Sequence, residues 1–529
     1  MDDGQWEVCN PVERSTGLIY DGRVYKSDSK DIASMNANNT DDNGDTEMND
    51  ADADTVKSNT LSSTLSESSS GAVGECYTHF LNHLTHGYES ALSTDPSAAP
   101  LLLVEKSYNP PPIRQKMMEI LFEELNVPAT FFAKDAVCAC YAVGRSTGTV
   151  VDIGYNGTVV TPVYEGYVEN KGILRSPVGA AMMEDYMLEY LDALYKTKKS
   201  RMKLQAKHDY IMPLYQVRAR DNEARREPFH SLARLDMVRL CKEDGTGAGV
   251  AYYGYASLHD HVVPDAEGGG EGNVGEEEKI EPNEIYQQYA IAPKTPFKLP
   301  DGTQIDIPQT RRFDIAELLF GKEGGKSAKI RSEAVQTAKD RVNDMTANND
   351  DTSNDASALA HLEEMTRRKR GGRNTSKTQT AYVSHEKLVK ACAPYLQSAI
   401  GELTAASIPA MICDSAFRCD RDQQAQLLGN AILCGGGACL STAATSSNSV
   451  DYKDGNAMTE RIRMEVESII HTHTPQWRVK VLSPGLSERA VCSWLGASIL
   501  GSLGSFHEMW ITKAEYEEHG TAIVNRKCP

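Results

Sequence analysis

Asp152 lies in a segment with the composition of a phosphate or metal site. Val150 to Tyr167 is predicted to form a strand, a tight turn and a returning strand, because β-branched residues flank the hairpin pair Asn156-Gly157. A hairpin brings backbone N–H groups together, and a concave cluster of N–H groups can hold an anion such as a phosphate. Asp152 at the strand end could position a hydrated divalent cation beside it. The alternative is an ordinary hairpin with a surface aspartate.

A second glycine-rich segment follows another predicted strand. Asn430 to Cys434 is apolar, and it leads directly into three glycines, Gly435 to Gly437. Backbone without a β-carbon permits close approach of a planar ligand or a phosphate. The alternative is a flexible joint before the following loop.

Two other motifs carry weaker chemistry. His471 and His473 have a spacing that could serve a metal, but no third ligand is apparent, so a structural or solvent role is expected and no metal site is predicted. A basic cluster lies in a polar segment and indicates a nuclear import signal, a minor phosphate-binding contact or a solvated run of charge. Its residues are Arg367, Arg368, Lys369 and Arg370.

The charge balance excludes one class of partner. The 529 residues include 55 basic and 74 acidic side chains, a formal net charge of -19. A protein this acidic is not expected to bind nucleic acid over a broad face, so protein partners are expected first. No stretch approaches the length of a membrane span, and the 12 scattered cysteines suit a reducing compartment. We therefore expect a soluble, intracellular protein without a membrane partner.

Alternating strands and helices position these motifs and indicate an α/β architecture with a sheet covered on both faces. Leu101 to Val104 has the pattern of a buried strand, and the following residues to Leu125 have helical spacing. Further elements are predicted at 182–195, 297–307, 313–320, 422–428, 458–470, 479–482 and from 497.

Several long segments of this chain resemble actin closely. They are Gly144 to Gly148 (GRSTG), Val163 to Tyr167 (VYEGY), Cys419 to Gly436, Ser493 to Trp510 and Ile511 to Cys528. The matches are colinear and cover most of the chain outside its polar insertions. Within the actin family, the chain is most similar to the nuclear actin-related protein 4 class.

This resemblance implies the two-lobed actin-like fold with two polar insertions. The implied parts are a remnant of the N-terminal lobe (1–26), a disordered acidic insertion (27–74), lobe I (75–148), lobe II (149–320, with an acidic glycine-rich loop at 264–278), a disordered insertion with the basic cluster (321–379), the rest of lobe II (380–488) and a return to lobe I (489–529).

The resemblance also implies a nucleotide cleft between the lobes, with ATP and Mg²⁺ bound weakly or not at all. The implied nucleotide-binding residues are Asp152, Gly154, Asn156, Gly157, Gly435, Gly436 and Gly437. A first phosphate hairpin should precede Gly17, and no equivalent is found, so we expect a truncated sequence or a lobe completed by another component.

Positions that serve hydrolysis in the family are altered. Groups that place the nucleophile are missing, which costs catalysis even if binding survives. The altered positions are Tyr155 for an aspartate, Asn156 for a glycine, Val159 for a histidine, Asp135 for a glutamine and Ala490 for a lysine. No catalytic residue is therefore predicted, and ATP hydrolysis is expected to be negligible.

For function, the resemblance implies a scaffold subunit of nuclear chromatin remodelling and histone acetyltransferase complexes, with some protein in the cytoplasm. The implied partners are actin and a long helix of the scaffold ATPase, and a partner helix would bind in a groove. The groove residues carried over are Tyr141, Gly144, Ser146, Gly166, Tyr167, Leu500, Leu503, Ser505 and Met509. The alternatives are a filament-forming cytoskeletal ATPase and a fragment that does not fold alone.

Overall fold

A computed structural model describes twelve stretches of the chain. They are residues 18–20, 23–25, 80–199, 237–242, 250, 295–299, 302–321, 323–347, 400–440, 457–472, 474 and 476–529. The chain divides into two compact units, Met1–Ala98 with Thr352–Ala393, and Ala99–Asp351 with Pro394–Pro529. In the first unit, β1 (Leu18–Tyr20) pairs antiparallel with β2 (Arg23–Tyr25), and a helical segment over 80–92 ends as a π-helix at Gly87–Leu92.

The second unit contains a mixed sheet that holds the predicted hairpin. The strands are β5 (Gly148–Ile153), β6 (Thr158–Tyr164), β7 (Tyr167–Val168), β8 (Leu174–Ser176), β11 (Glu402–Leu403), β12 (Ala431–Cys434) and β13 (Val481–Leu482). Their order in the sheet, among the described residues, is β11-β8-β6-β5-β12-β13, and β7 pairs with β6. The hairpin strands β5 and β6 are antiparallel, whereas β5 and β12 run parallel with Asp152 opposite Cys434.

A smaller sheet lies in the same unit. β3 (Leu101–Glu105) runs parallel to β4 (Ala129–Lys134), and β14 (Ile511–Thr512) pairs antiparallel with β4. Glu105 is opposite Lys134, so the chain leaves β3 and β4 at the same edge of the sheet. A separate antiparallel pair, β9 (Thr295–Lys298) and β10 (Gln304–Ile307), confirms the two strands predicted over 297–307.

Helices pack against these sheets as the alternating pattern predicts. They are α1 (Pro111–Glu119), α2 (Asp135–Ala142), α3 (Ala180–Lys199), α4 (Gln309–Phe320), α5 (Lys326–Ala347), α6 (Ile408–Phe417), α7 (Arg421–Gly429), α8 (Ala457–Ile470), α9 (Leu486–Arg489), α10 (Cys492–Ser502), α11 (Lys513–His519) and α12 (Ile523–Lys527). The largest core joins α3, α4, α6 and α8 to the inner residues of β5, β6 and β12. Helices α2 and α10 meet so closely at Gly496 that a β-carbon there would clash with the Cys138 carbonyl.

The prediction of a disordered segment over 321–379 is wrong for its first part, where α5 forms. The buried stripe of α5 consists of Ser327, Arg331 and Val335, at one-turn spacing. Arg331 donates hydrogen bonds to the carbonyl oxygens of Ala405 (2.9 Å) and Leu318 (3.3 Å), which satisfies the buried guanidinium. Because this stripe is mostly polar, apolar periodicity does not reveal it. The remainder, 348–379, lies outside the described residues.

In the part of the chain that the structure describes, no helix has the length and apolar character needed to cross a membrane. The nine cysteines within those stretches are all free thiols.

Candidate functional site

Strands from the two sheets of the second unit end at a common cleft of about 300 Å³. One sheet contributes the residues that follow β3 and β4, and the other contributes the ends of β5 and β12. Ligands of α/β proteins bind beyond the carboxyl ends of parallel strands, so this is the expected place for a site. The residues that matter for its chemistry are Lys106, Asp135, Asp152, Gly154, Gly435 and Gly436.

A lysine bridges two carboxylates across the cleft. Lys106 Nζ lies 2.5 Å from Asp152 Oδ2 and 3.2 Å from Asp135 Oδ2. Asp152 is the second-last residue of β5 in the large sheet, whereas Lys106 and Asp135 directly follow β3 and β4 of the small sheet. The ion pairs therefore connect the two sheets at the cleft.

The electrostatics favour a charged lysine at this position. Burial by itself would lower the pKa of Lys106, but the negative charges of Asp152 and Asp135 outweigh it and raise that pKa well above its usual value. Lys106 is consequently a permanent cation at physiological pH.

Asp135 is fixed by its neighbours. Its Oδ1 accepts hydrogen bonds from the Ser107 backbone N–H (2.9 Å), the Ser107 hydroxyl (2.6 Å) and the Ala136 N–H (2.8 Å). A carboxylate at the first turn of α2 satisfies backbone donors that have no partner within the helix. The Asp135 carboxylate thus already accepts hydrogen bonds from Ser107 and Ala136.

The third acidic residue lining the cleft, Glu105, is also paired. Its Oε1 lies 2.8 Å from Arg114 Nε and 2.9 Å from Lys134 Nζ, and all three side chains are buried. Burial lowers the pKa of Lys134, and the charge of Glu105 opposes that shift. Glu105 therefore closes the wall of the cleft and does not present an open carboxylate to it.

The predicted hairpin is present, but its turn differs from the two-residue turn that Asn156-Gly157 favours. Gly154 to Gly157 form the connection, with the Gly154 N–H donating to the Gly157 carbonyl at 2.9 Å. Neither Asn156 nor Gly157 has a positive φ. Glycine is needed at 157 for another reason: a β-carbon there would lie 2.4 Å from the Ser176 carbonyl oxygen.

Tyr155 is bonded away from the cleft. Its phenol donates a 2.9 Å hydrogen bond to the fully buried Glu184 of α3, and Arg239 stacks over its ring at 5.1 Å. Glu184 also accepts from Lys242 at 2.6 Å. The backbone N–H groups of Ala180 and Ala181, at the start of α3, donate to the carbonyl oxygens of Gly154 and Tyr155 in the hairpin turn. The tip of the hairpin is therefore anchored to α3.

The glycines after β12 contact the hairpin directly. Gly435 has φ of 93°, and a β-carbon there would lie 2.4 Å from Asp152 Oδ1. Its N–H donates to the Arg489 carbonyl oxygen at 2.9 Å. A β-carbon at Gly437 would lie 2.6 Å from Ile153 Cγ2, whereas Gly436 has open space. The close approach of the backbone to β5 explains why glycine is needed at 435 and 437, and this explanation requires no bound ligand.

The predicted nucleotide-binding residues divide into two groups. Asp152, Gly154, Gly435 and Gly436 line the cleft, and Asn156, Gly157 and Gly437 do not. Lys106 and the thiols of Cys434 and Cys492 near Asp152 were not predicted as site residues. Lys106 directly follows a predicted strand, and this position could have identified it as a residue of the cleft. A hydrogen bond to Cys492 and burial raise the pKa of the Cys434 thiol.

These residues do not fit a phosphate bound with a divalent cation. The carboxylates of Asp135 and Asp152 accept hydrogen bonds from protein donors, and Glu105 Oε1 is ion-paired with Arg114 and Lys134. The N–H groups of Gly154 and Gly435 bond to carbonyl oxygens. Within the described stretches, no group of three or more His, Cys, Asp or Glu side chains could hold a metal ion. His471 Nε2 lies 3.3 Å from the Trp477 carbonyl oxygen, and His473 lies outside those stretches.

The predicted groove residues lie on surface-exposed turns and at helix ends. The Gly166 N–H donates to the Ser146 carbonyl at 2.7 Å, and Gly166 packs near the Tyr141 hydroxyl. Tyr141 and Leu500 belong to α2 and α10, which pack together. Leu500 is buried, whereas Tyr167, Leu503 and Met509 are 62%, 42% and 40% exposed. Gly144 and Ser505 are also exposed.

Comparison with known proteins accounts for this architecture. The actin family model matches residues 29–529. The chain belongs to the actin family. Its two-sheet α/β unit, with a cleft at the strand ends, is the actin-like fold expected from the sequence.

Three relatives similar to this chain are all named Actin-related protein 4. Proteins named Actin-related protein 4 from Oryza sativa subsp. indica, Arabidopsis thaliana and Schizosaccharomyces pombe are 28%, 27% and 26% identical over 451, 446 and 447 residues. The matches cover 85%, 84% and 84% of this chain and 75%, 75% and 80% of the relatives. The class predicted from the sequence is thus the class of these actin-related relatives.

Proposed function

We propose that this actin-related protein is a non-catalytic scaffold subunit of a nuclear chromatin remodelling or histone acetyltransferase complex. Its partners are actin and a long amphipathic helix of the complex's scaffold ATPase or acetyltransferase assembly. Membership of the actin family and similarity to proteins named Actin-related protein 4 support this proposal. The observation that carries it is the exposure of three apolar side chains among the predicted groove residues, Tyr167, Leu503 and Met509.

The predicted groove residues have the chemistry that helix binding requires. Tyr167, Leu503 and Met509 present apolar surface to solvent, and Gly144 is exposed as well. An amphipathic helix buries one apolar face in such a groove, and a few well-packed side chains supply most of the binding free energy. The protein's negative charge complements a helix with basic flanks.

Groove substitution tests the proposal. In cells, tagged wild-type protein should co-purify with remodeller or acetyltransferase subunits, and Leu503→Asp with Met509→Asp should lose them. A charged side chain in a desolvated contact is expected to weaken binding by about 2 kcal/mol or more, roughly 30-fold. Fluorescence polarisation with a labelled scaffold-helix peptide then measures the direct contact.

Met464→Asp is the matched control. Met464 is 41% exposed, close to the 40% of Met509, but it lies on α8 and is not one of the predicted groove residues. It should retain the complex. Equal loss in the control and groove variants, or recovery of filaments without chromatin subunits, would reject the scaffold proposal.

Catalysis is not part of the proposed function. Asp135 is occupied by Ser107, and Tyr155 is anchored to Glu184, so neither is available to place an attacking water. Steady-state phosphate release with ATP should match a protein-free blank. Turnover above that blank that disappears in Asp152→Asn would contradict this part of the proposal.

A further inference from the structure

We propose that Lys106 is the built-in cation of the actin-type cleft, taking the place of a divalent metal ion beside Asp152. The cleft would then be held together by the protein's own ammonium group. It would have no dedicated site for Mg²⁺, Ca²⁺ or Mn²⁺ while that lysine is present.

Geometry is the first support. The ammonium of Lys106 lies 2.5 Å from Asp152 Oδ2, the distance of a direct charge-assisted hydrogen bond. The other oxygen, Oδ1, lies on the side of Gly435, where a β-carbon would be 2.4 Å away. A hydrated cation at Oδ2 would need an open oxygen and room for its water ligands, and the ammonium of Lys106 takes that place.

The backbone holds Lys106 in place. The next residue, Ser107, binds Asp135 through both its N–H and its hydroxyl. Lys106 also directly follows β3, which is paired along its length with β4. The lysine is thus presented from a fixed backbone position on one sheet toward a carboxylate on the other.

Charge is the second support. A metal ion approaching Asp152 would have to displace Lys106 or be repelled by it at close range. The lysine remains charged at physiological pH, because Asp152 and Asp135 raise its pKa. No proton loss would therefore open the site near neutral pH.

Manganese binding followed by electron paramagnetic resonance tests the inference in the full-length protein. The quantity compared is Asp152-dependent Mn²⁺ binding, which is the Mn²⁺ bound by each protein minus the Mn²⁺ bound by the same protein carrying Asp152→Asn. This subtraction removes weak binding to the acidic surface. Wild type should show no Asp152-dependent Mn²⁺ binding. Lys106→Ala should gain about one site, with affinity raised at least tenfold, and Lys106→Met should do the same while keeping an apolar stem.

Lys171→Ala is the matched control. Lys171 pairs with Asp420 at 2.7 Å and is 46% exposed, against 45% for Lys106, but it lies outside the cleft. This control should behave like wild type. A gain in Lys171→Ala equal to that in Lys106→Ala would reject a specific role for Lys106.

Wild-type protein alone provides a second measurement, independent of whether the variants fold. Its unfolding temperature should be the same in EDTA and in millimolar Mg²⁺, because no native-state metal site contributes linkage. Asp152-dependent Mn²⁺ binding by wild type, or a folded Lys106 variant without any gained site, would overturn the inference. Partner binding through the groove is a separate measurement, so either proposal can fail alone.

Discussion

At the scale of single residues, Tyr155 has a structural role at the tip of the hairpin. Its hydroxyl donates a hydrogen bond to Glu184. The Glu184 carboxylate also accepts a hydrogen bond from Lys242 and forms a 3.2 Å ion pair with Arg239. A fully buried carboxylate needs such donors, since an unpaired buried charge is strongly unfavourable. The hairpin tip and α3 are stabilised together by this cluster.

Tyr155→Phe should lower the free energy of unfolding by about 1 kcal/mol, because Glu184 loses one of its donors but keeps two cations. Urea denaturation measures this change. Tyr516→Phe is a control of the same chemistry, in which the lost hydrogen bond to Glu123 is exposed and the cost should be smaller. Equal costs for both variants would show that the buried cluster has no special weight.

At the scale of elements, a buried ion pair joins α4 to α8. Arg461 contacts Glu317 through two hydrogen bonds of 2.6 and 2.9 Å, and its guanidinium lies 4.5 Å from the centre of the Phe320 ring. Burial alone would lower the pKa of Arg461, but Glu317 and Glu465 raise it above its usual value. The pairing compensates the desolvation of both charges.

Glu317→Gln should therefore destabilise the protein by about 3 kcal/mol, since it leaves a buried guanidinium without its main counter-charge. Arg463→Ala on the same helix removes half-exposed pairs with Glu460 and Glu467 and should cost less than about 1 kcal/mol. Chemical denaturation of both variants checks the contrast. A cost for Glu317→Gln no larger than that of Arg463→Ala would contradict it.

The start of α11 is a capping box. The Glu515 N–H donates to Thr512 Oγ1 at 3.3 Å, and the Thr512 N–H donates to Glu515 Oε2 at 2.9 Å. Thr512→Ala should cost about 1 kcal/mol of stability in denaturation. Thr337→Ala is the opposite control, because Thr337 bonds a carbonyl one turn back in an exposed helix interior and alanine favours helix there. Destabilisation by both to the same extent would exclude the capping explanation.

The same box gives a pH dependence. The Thr512 backbone hydrogen bond and the ion pair with Lys527 lower the pKa of Glu515 below its ordinary 4.5. A lowered carboxyl pKa contributes stability above the unfolded value, and that contribution is lost as pH falls through the folded value. The stability difference between wild type and Glu515→Gln should therefore shrink below pH 4.5.

At the scale of the whole molecule, a short basic cluster outside the described residues is predicted to act either as a nuclear import signal or as solvated charge. Replacing Arg367, Arg368, Lys369 and Arg370 by alanine should move a fluorescent fusion from nucleus to cytoplasm, if the cluster is an import signal. Alanine at Lys196, Lys198, Lys199 and Lys203 removes the same charge elsewhere and should leave the fusion nuclear. Unchanged nuclear signal in the first variant would assign the cluster to solvated charge.

The sequence by itself determined most elements of the second unit and the family. Periodicity located β3, α1 and α8, and strand ends located Asp152 and Gly435, because these signals are local along the chain. Apolar periodicity could not locate α5, whose buried stripe contains Ser327 and Arg331.

Only the tertiary structure decided what occupies the cleft. Lys106 and Asp152 are 46 positions apart and belong to different sheets, so no spacing rule connects them. No spacing rule connects Tyr155 with Glu184, or Gly435 with Asp152, either. Residue types state which charges are available, whereas the packing of two sheets determines which charges neutralise each other. For this actin-related protein, that packing places an ammonium group where the sequence alone indicated a metal-positioning carboxylate.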